Sequence, residues 1–212
     1  MMQKLDLKKD YKHLYNPGTR EVSIVQVPRF NFIMIDGQVP ANMAVDDAPD
    51  YQHAVEALYS YSYTLKFMCK KDSHNPVDYA VMPLEGLWWS ATSSREFTPS
   101  RKDIWYFTAM IMQPQPVTAA HFSEAREQLR KKKELRSLDL ARFEAFEEGL
   151  VMQIMHIGPY SEEPATIKRM IAFGEEHGYS AHGKHHEIYL GDPRRTAPDK
   201  LKTVLRHPVK QL

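Results

Sequence analysis

The stretch His182-Gly-Lys-His-His-Glu-Ile-Tyr-Leu-Gly-Asp-Pro-Arg-Arg195 decides how the chain is read, because it has the pattern of a strand that carries a carboxylate. Side chains alternate along a strand, so His185, Glu187 and Tyr189 share one face and His186, Ile188 and Leu190 the other. Gly191-Asp-Pro193 is a turn signal that closes the strand. An acid that points into an apolar cavity is pushed toward its neutral form and can attract a cation or move a proton. An acid that points to water is a solvated surface residue. The functional question rests on which of these Glu187 is.

Working outward from this strand, Gly149–Ile157 reads as a strand before it and Lys202–His207 as one after it. A helix from Pro164 to about His177, stopped by Gly178, lies between. The same order of strand, helix, strand, strand occurs earlier. Val22–Val27 and Phe30–Asp36 are strand-like, with Asp36-Gly37 closing the second. Residues 38–49 are loop. Tyr51 to about Lys70 carries Ala54, Leu58, Leu65 and Met68 at helical spacing. Tyr79–Ala91 and Ile104–Met112 are strand-like and joined by a polar loop with Ser93, Ser94 and Pro99. Thr118 is an N-cap for a helix reaching about Arg136, and a short helix is expected at Leu138–Phe146. The fold class is therefore α+β, two strand–helix–strand–strand modules with a groove between them, where ligand sites commonly form. Residues 1–20 are read as an N-terminal extension and 21–212 as a single domain. Its first module spans about 21–113, its linking helices 117–146 and its second module about 147–210.

The 212 residues carry 28 basic and 27 acidic side chains, a net charge of +1, so no global field favours nucleic acid or an anionic membrane. The basic run Arg130–Arg136 lies at a helix C-terminus, where cations complement the helix dipole. The single cysteine, Cys69, excludes an internal disulfide and a Cys-rich zinc site. The start has no apolar core of a signal segment, and no stretch approaches the ~18 apolar residues of a membrane span. A cytoplasmic protein is expected. No nucleotide, phosphate or hydrolase signature is present, and no cofactor is called for. His185, Glu187 and His207 or His156 raise the question of a metal, but the spacing has no recognised frame, and no metal is assigned.

Pro83-Leu-Glu-Gly-Leu-Trp-Trp89 places one indole on each face of a strand, with Glu85 nearby. Trp105 and Phe107 share a face of the next strand. These rings either fill a core or build an aromatic box around a flat or cationic ligand. His156-Ile-Gly-Pro-Tyr160 ends a strand with a ring poised at the sheet edge, or is an ordinary strand-to-helix turn.

These segments resemble the GyrI-like family, gyrase-inhibitory-protein-like small-molecule-binding domains. The matching stretches are Leu14–Gly18, Phe32–Gly37, Pro83–Trp89, Met110–Pro114, Met155–Tyr160, Gly183–Arg195 and Leu201–Pro208, nearly the whole chain. The resemblance implies a pseudo-twofold arrangement of the two modules with a ligand cleft between their sheets. In related effector domains that cleft holds hydrophobic cations against a buried glutamate and aromatic rings. Some stand-alone members hydrolyse the cyclopropane ring of DNA-alkylating natural products. Carried over, Glu187 would orient or deprotonate the attacking water and Tyr189 would donate to the carbonyl that becomes phenolate. Trp88, Trp89, Trp105, Phe107 and Tyr160, with Glu85 and His156, would line the ligand site. The partner expected is a hydrophobic aromatic small molecule, bound for hydrolysis or only sequestered or sensed. Gyrase inhibition follows only from the family name, and the balanced charge argues against it.

Overall fold

The amphipathic segments assemble as one large antiparallel sheet with its long helices on one face. The computed structural model describes residues 2–90 and 103–212. The N-terminal part runs β1 (Gln3–Leu5), α1 (Leu7–Asp10) and α2 (Lys12–Tyr15), then β2 (Ser23–Val27) and β3 (Phe30–Val39). Next come α3 (Pro49–Lys71), β4 (Val77–Tyr79), β5 (Leu84–Ser90), β6 (Trp105–Gln113) and α4 (Ala119–Lys132). The chain ends with β7 (Arg142–Phe146), β8 (Gly149–Ile157), α5 (Glu163–Glu176), β9 (Tyr179–Ala181), β10 (His185–Tyr189) and β11 (Lys202–Gln211).

The main sheet has the order β2-β8-β11-β10-β5-β6-β3-β7, with β9 paired to the far end of β11. The first module contributes β5-β6-β3 and the second β10-β11-β8, so the strand order mirrors itself about the β10–β5 pair. The two modules share one sheet. His185 to Tyr189 lie opposite Trp88 to Leu84, and this pairing satisfies two strands that would otherwise be bare edges.

Residues opposite one another in an antiparallel ladder share a face. One face carries Leu84, Gly86 and Trp88 of β5 beside Tyr189, Glu187 and His185 of β10. Helices α3 and α5 cover this face. Tyr51 of α3 meets Trp88 and Phe107, while Ile167 and Met170 of α5 pack on Met152, Ile154 and Leu205. Near the centre the helices leave the sheet uncovered. The opposite face carries Glu85, Leu87 and Trp89, and α2 is bonded to its middle.

Local chemistry fixes the helix ends. Pro49 opens α3, where its fixed φ costs no hydrogen bond. Thr118 caps α4 by accepting from the His121 amide, and His121 reaches back. Gly178, at φ +77°, turns the chain after α5. Three expectations need correction. The helix expected at Leu138–Phe146 is a 3₁₀ turn, Leu138–Leu140, followed by β7, because the alternation from Arg142 to Phe146 suits the open edge of β3. The strand expected over Tyr79–Ala91 is interrupted before Pro83: β4 pairs with β1 in a separate parallel ladder, and β5 starts at Leu84. β3 continues through Asp36-Gly37 to Val39, and Gly37 leaves room for the Phe107 ring. The loop read around Ser93, Ser94 and Pro99 lies outside the described residues. Residues of the expected extension are built into the body, with Leu14 and Tyr15 buried.

Candidate functional site

A cleft of roughly 1630 Å³ opens over the β10–β5 centre, between α3 and the start of α5. Its floor is Leu84 and Trp88 of β5 with Glu187 and Tyr189 of β10. Tyr51, Val55 and Tyr59 of α3 form one wall, and Tyr160, Glu163 and Ile167 the other. Met43 and Val45, both partly exposed, stand at the rim. A smaller groove between α3 and α4, about 530 Å³, is lined by a mixture of charged, polar and apolar side chains, none of them buried.

The strand alternation that puts Glu187 and Tyr189 on one face also lets them bond. The Tyr189 hydroxyl donates to Glu187 Oε2 at 2.7 Å, and Trp88 Nε1 donates to the Tyr189 oxygen at 2.9 Å. His185 Nε2 stands 3.4 Å from the other carboxylate oxygen, Oε1. Tyr51 approaches the Tyr189 hydroxyl from α3, and the Tyr160 ring meets Tyr189 edge-on, 5.8 Å between centroids. Burial, and next the charge of Glu187, push the Tyr189 and Tyr51 hydroxyls far above their ordinary range, so both keep their protons at neutral pH. A carboxylate is thus held by fixed donors at the bottom of an aromatic cleft.

Opposite it stands a second acid that the sequence reading passed over. Glu163 is buried, and desolvation, then the charge of Glu187, raise its carboxyl to about 9, with the nearby Thr203 hydroxyl opposing the rise. An acid in the first turn of a helix ordinarily reads as a complement to the helix dipole. Only the approach of α5 to β10 across the sheet gives it a different meaning. Tyr51 was hidden in the same way, as the first residue of an expected helix.

Glu187, Tyr189, Trp88, Trp105 and Tyr160 of the expected site residues all line the cleft. Phe107 lies one layer behind, fully buried against Trp88 and Tyr51. His156 is buried beneath the β8–α5 turn, bonded to the Thr166 hydroxyl at 3.0 Å and 3.3 Å from the Pro159 carbonyl oxygen, so it fixes the turn that carries Tyr160. Glu85 and Trp89 are on the far face. Trp89 stacks on Tyr106, with the Lys184 ammonium 3.5 Å from its ring centroid.

Glu85 belongs to a buried polar network on that far face. It accepts from the Tyr15 hydroxyl at 2.9 Å and from His186 Nε2 at 3.0 Å, while His186 Nδ1 donates to Glu148 at 3.0 Å. Arg206 bonds Glu148, the Gln153 side chain and the Leu14 carbonyl oxygen. Burial opposes charge on His186, but Glu148 and Glu85 outweigh it and raise the imidazole to about 9. Burial likewise opposes charge on Glu148, and His186 and Arg206 override it, lowering the carboxyl to about 2. Two carboxylates and two cations therefore balance inside the sheet's back layer.

Among the described residues no three His, Cys, Asp or Glu side chains are grouped to hold a metal ion, and no helix is long and apolar enough to cross a membrane. A large antiparallel sheet with an aromatic, acid-bearing cleft over its centre defines a small-molecule-binding protein. The profile of the GyrI-like small molecule binding domain matches residues 20–210, and the chain belongs to that family. An uncharacterized conserved protein from Listeria innocua has a similar crystal structure, with 38% identity and a TM-score of 0.87 over 97% of this chain and 100% of its own. A hydrolase from the same organism is 37% identical, with a TM-score of 0.84 over 98% of this chain and 100% of its own. Among proteins of curated function, none matches the chain.

Proposed function

We propose that the protein is a hydrolase of flat aromatic electrophiles that carry a strained cyclopropane ring, and that its cleft is the active site of a detoxifying reaction. The observation that carries this reading is the Trp88–Tyr189–Glu187 chain of hydrogen bonds at the cleft floor. Tyr189 occupies Oε2 of Glu187, so the carboxylate is held in one orientation as a base. Trp88, Trp105, Tyr51 and Tyr160 offer ring faces to a flat ligand. The similarity to a Listeria innocua hydrolase over nearly the full chain supports hydrolysis, and the family resemblance supplies the substrate class.

In the reaction Glu187 takes a proton from water as the water oxygen bonds to a cyclopropane carbon. The carbon–carbon bond breaks, and its electron pair moves through the conjugated ring to the carbonyl oxygen, which becomes a phenol on gaining a proton. A second reading, a non-catalytic module that sequesters or senses aromatic cations, is favoured by the two carboxyls that share the cleft. The charge of the preferred ligand separates the two.

The test is incubation of purified protein with a cyclopropane-bearing alkylator, followed by liquid chromatography–mass spectrometry. Multiple turnover to the ring-opened alcohol is expected. Glu187→Gln should lower kcat about 10²–10⁴-fold, the usual loss on removing a general base, while tryptophan quenching still reports binding. Saturable binding with the compound returned intact would leave the sequestering module instead.

A further inference from the structure

The reaction needs a proton at the oxygen where charge collects, and the groups already placed are committed elsewhere. Tyr189 spends its single proton on Glu187 and its oxygen accepts from Trp88. Glu163 is not committed. It opens α5, is 5% exposed and lines the cleft, and its Oε1 is buried without a hydrogen-bond partner among the described residues. The titratable groups that face it are Glu187 and Tyr189 from β10 and Tyr160 from the turn before α5, with the Thr203 hydroxyl of β11 alongside. None of these is a cation. An ionised carboxylate there would be a second buried negative charge beside Glu187, which is costly unless paired. A neutral acid avoids that cost and keeps a proton to donate. The raised carboxyl noted above agrees with this arrangement.

We propose that Glu163 is the proton donor of the cleft, a neutral carboxylic acid that protonates the substrate oxygen while Glu187 accepts the proton of the attacking water; this rests on the hydrolase reading. The step balances. Water loses one proton to Glu187, its oxygen bonds to carbon, the ring bond breaks, and the displaced pair ends on an oxygen that takes the Glu163 proton. Glu187 is then neutral and Glu163 ionised, and one proton moving from Glu187 to Glu163 restores the starting pair. No proton is consumed overall, and water and substrate are the only reactants.

The proposal is tested by pH profiles of kcat/KM for the wild type and Glu163→Gln with a cyclopropane-bearing alkylator. The amide matches the neutral acid in shape and cannot donate a carboxyl proton. The expected result is a fall of about a hundredfold, the low end for loss of a general acid, with loss of the alkaline limb and retention of the acid limb. Wild-type turnover with an unchanged rate and alkaline limb in Glu163→Gln would overturn the donor role and leave the hydrolase reading standing. Absence of wild-type turnover removes the hydrolase reading, and the donor role with it. An infrared titration of carboxyl-labelled wild type needs no variant. A neutral carboxylic acid band at pH 7 is expected, and its absence overturns the proposal even if Glu163→Gln fails to fold.

Discussion

Gly86 lies opposite Glu187 in the β5–β10 ladder, and a methyl group there would stand 2.7 Å from Trp88 Nε1 and 3.2 Å from the Tyr189 hydroxyl. The indole and the phenol meet because this position has no side chain. Gly86→Ala is therefore expected to push the indole off Tyr189, to cost about 1–3 kcal/mol as an overpacked core position does, and to weaken binding of flat aromatic ligands. Calorimetric melting and a tryptophan-fluorescence titration measure the two effects. Native melting and native affinity would mean that the Trp88–Tyr189 contact does not shape the cleft. Glu187 and Tyr189 could be paired from sequence because alternation alone puts residues i and i+2 on one face. The choice between Trp88 and Trp89 could not be made, since it depends on the register that sets Gly86 against Glu187. That register also sends Glu85 to the opposite side, into the His186 network. Glu163 is separated from Glu187 by 24 positions and a change of element, so no local pattern joins them.

Most elements were legible where hydrophobic spacing acts alone, as in α3, α4, α5, β8 and β10. The misread ones depend on partners far along the chain. β7 is a strand because β3 offers it an edge, and β4 is split from β5 because β1 pairs with it. Segment α2 is held by the same kind of distant contact. Its carbonyls at His13 and Leu14 accept from Gln153 and Arg206, and Tyr15 donates to Glu85. Arg206 is the hub, because it also neutralises Glu148. Arg206→Met removes the cation and leaves Glu148 and the Leu14 carbonyl short of a donor. It should destabilise the protein by about 3–5 kcal/mol, the range for breaking a buried ion pair from one side. Limited proteolysis should then cut first within residues 1–20. A variant that melts normally and resists cleavage there would show that the apolar burial of Leu14 holds the segment unaided.

At the scale of the molecule, the repeat of element order was readable, and the continuity of the sheet was not, because backbone pairing between β10 and β5 leaves no mark on residue type. The buried charges that this pairing encloses give the whole protein an expected pH profile. His186 and Glu163 are raised from 6.5 and 4.5 to about 9 when folded. Each therefore contributes stability that is fully present below its ordinary value and is lost as pH climbs to 9. His207 is lowered from 6.5 to about 3, by burial and then by His185, and Glu148 from 4.5 to about 2. Their contributions are present above the ordinary values and are lost as pH falls toward 2–3. Between 4.5 and 6.5 the loss from Glu163 and the gain from His207 offset each other, so stability should be nearly flat there. Above 6.5 His186 and Glu163 act together, and each removes up to about 1.4 kcal/mol per pH unit. Urea unfolding across pH 5.5–9 should show that plateau and then a steady decline. Glu163→Gln cannot ionise, so about half of the alkaline slope should vanish in it, and the plateau should give way to a rise with pH because the gain from His207 is no longer offset. If wild type and Glu163→Gln decline in parallel, Glu163 is already ionised in the folded cleft at neutral pH, and the fall belongs to His186 and the network behind the sheet.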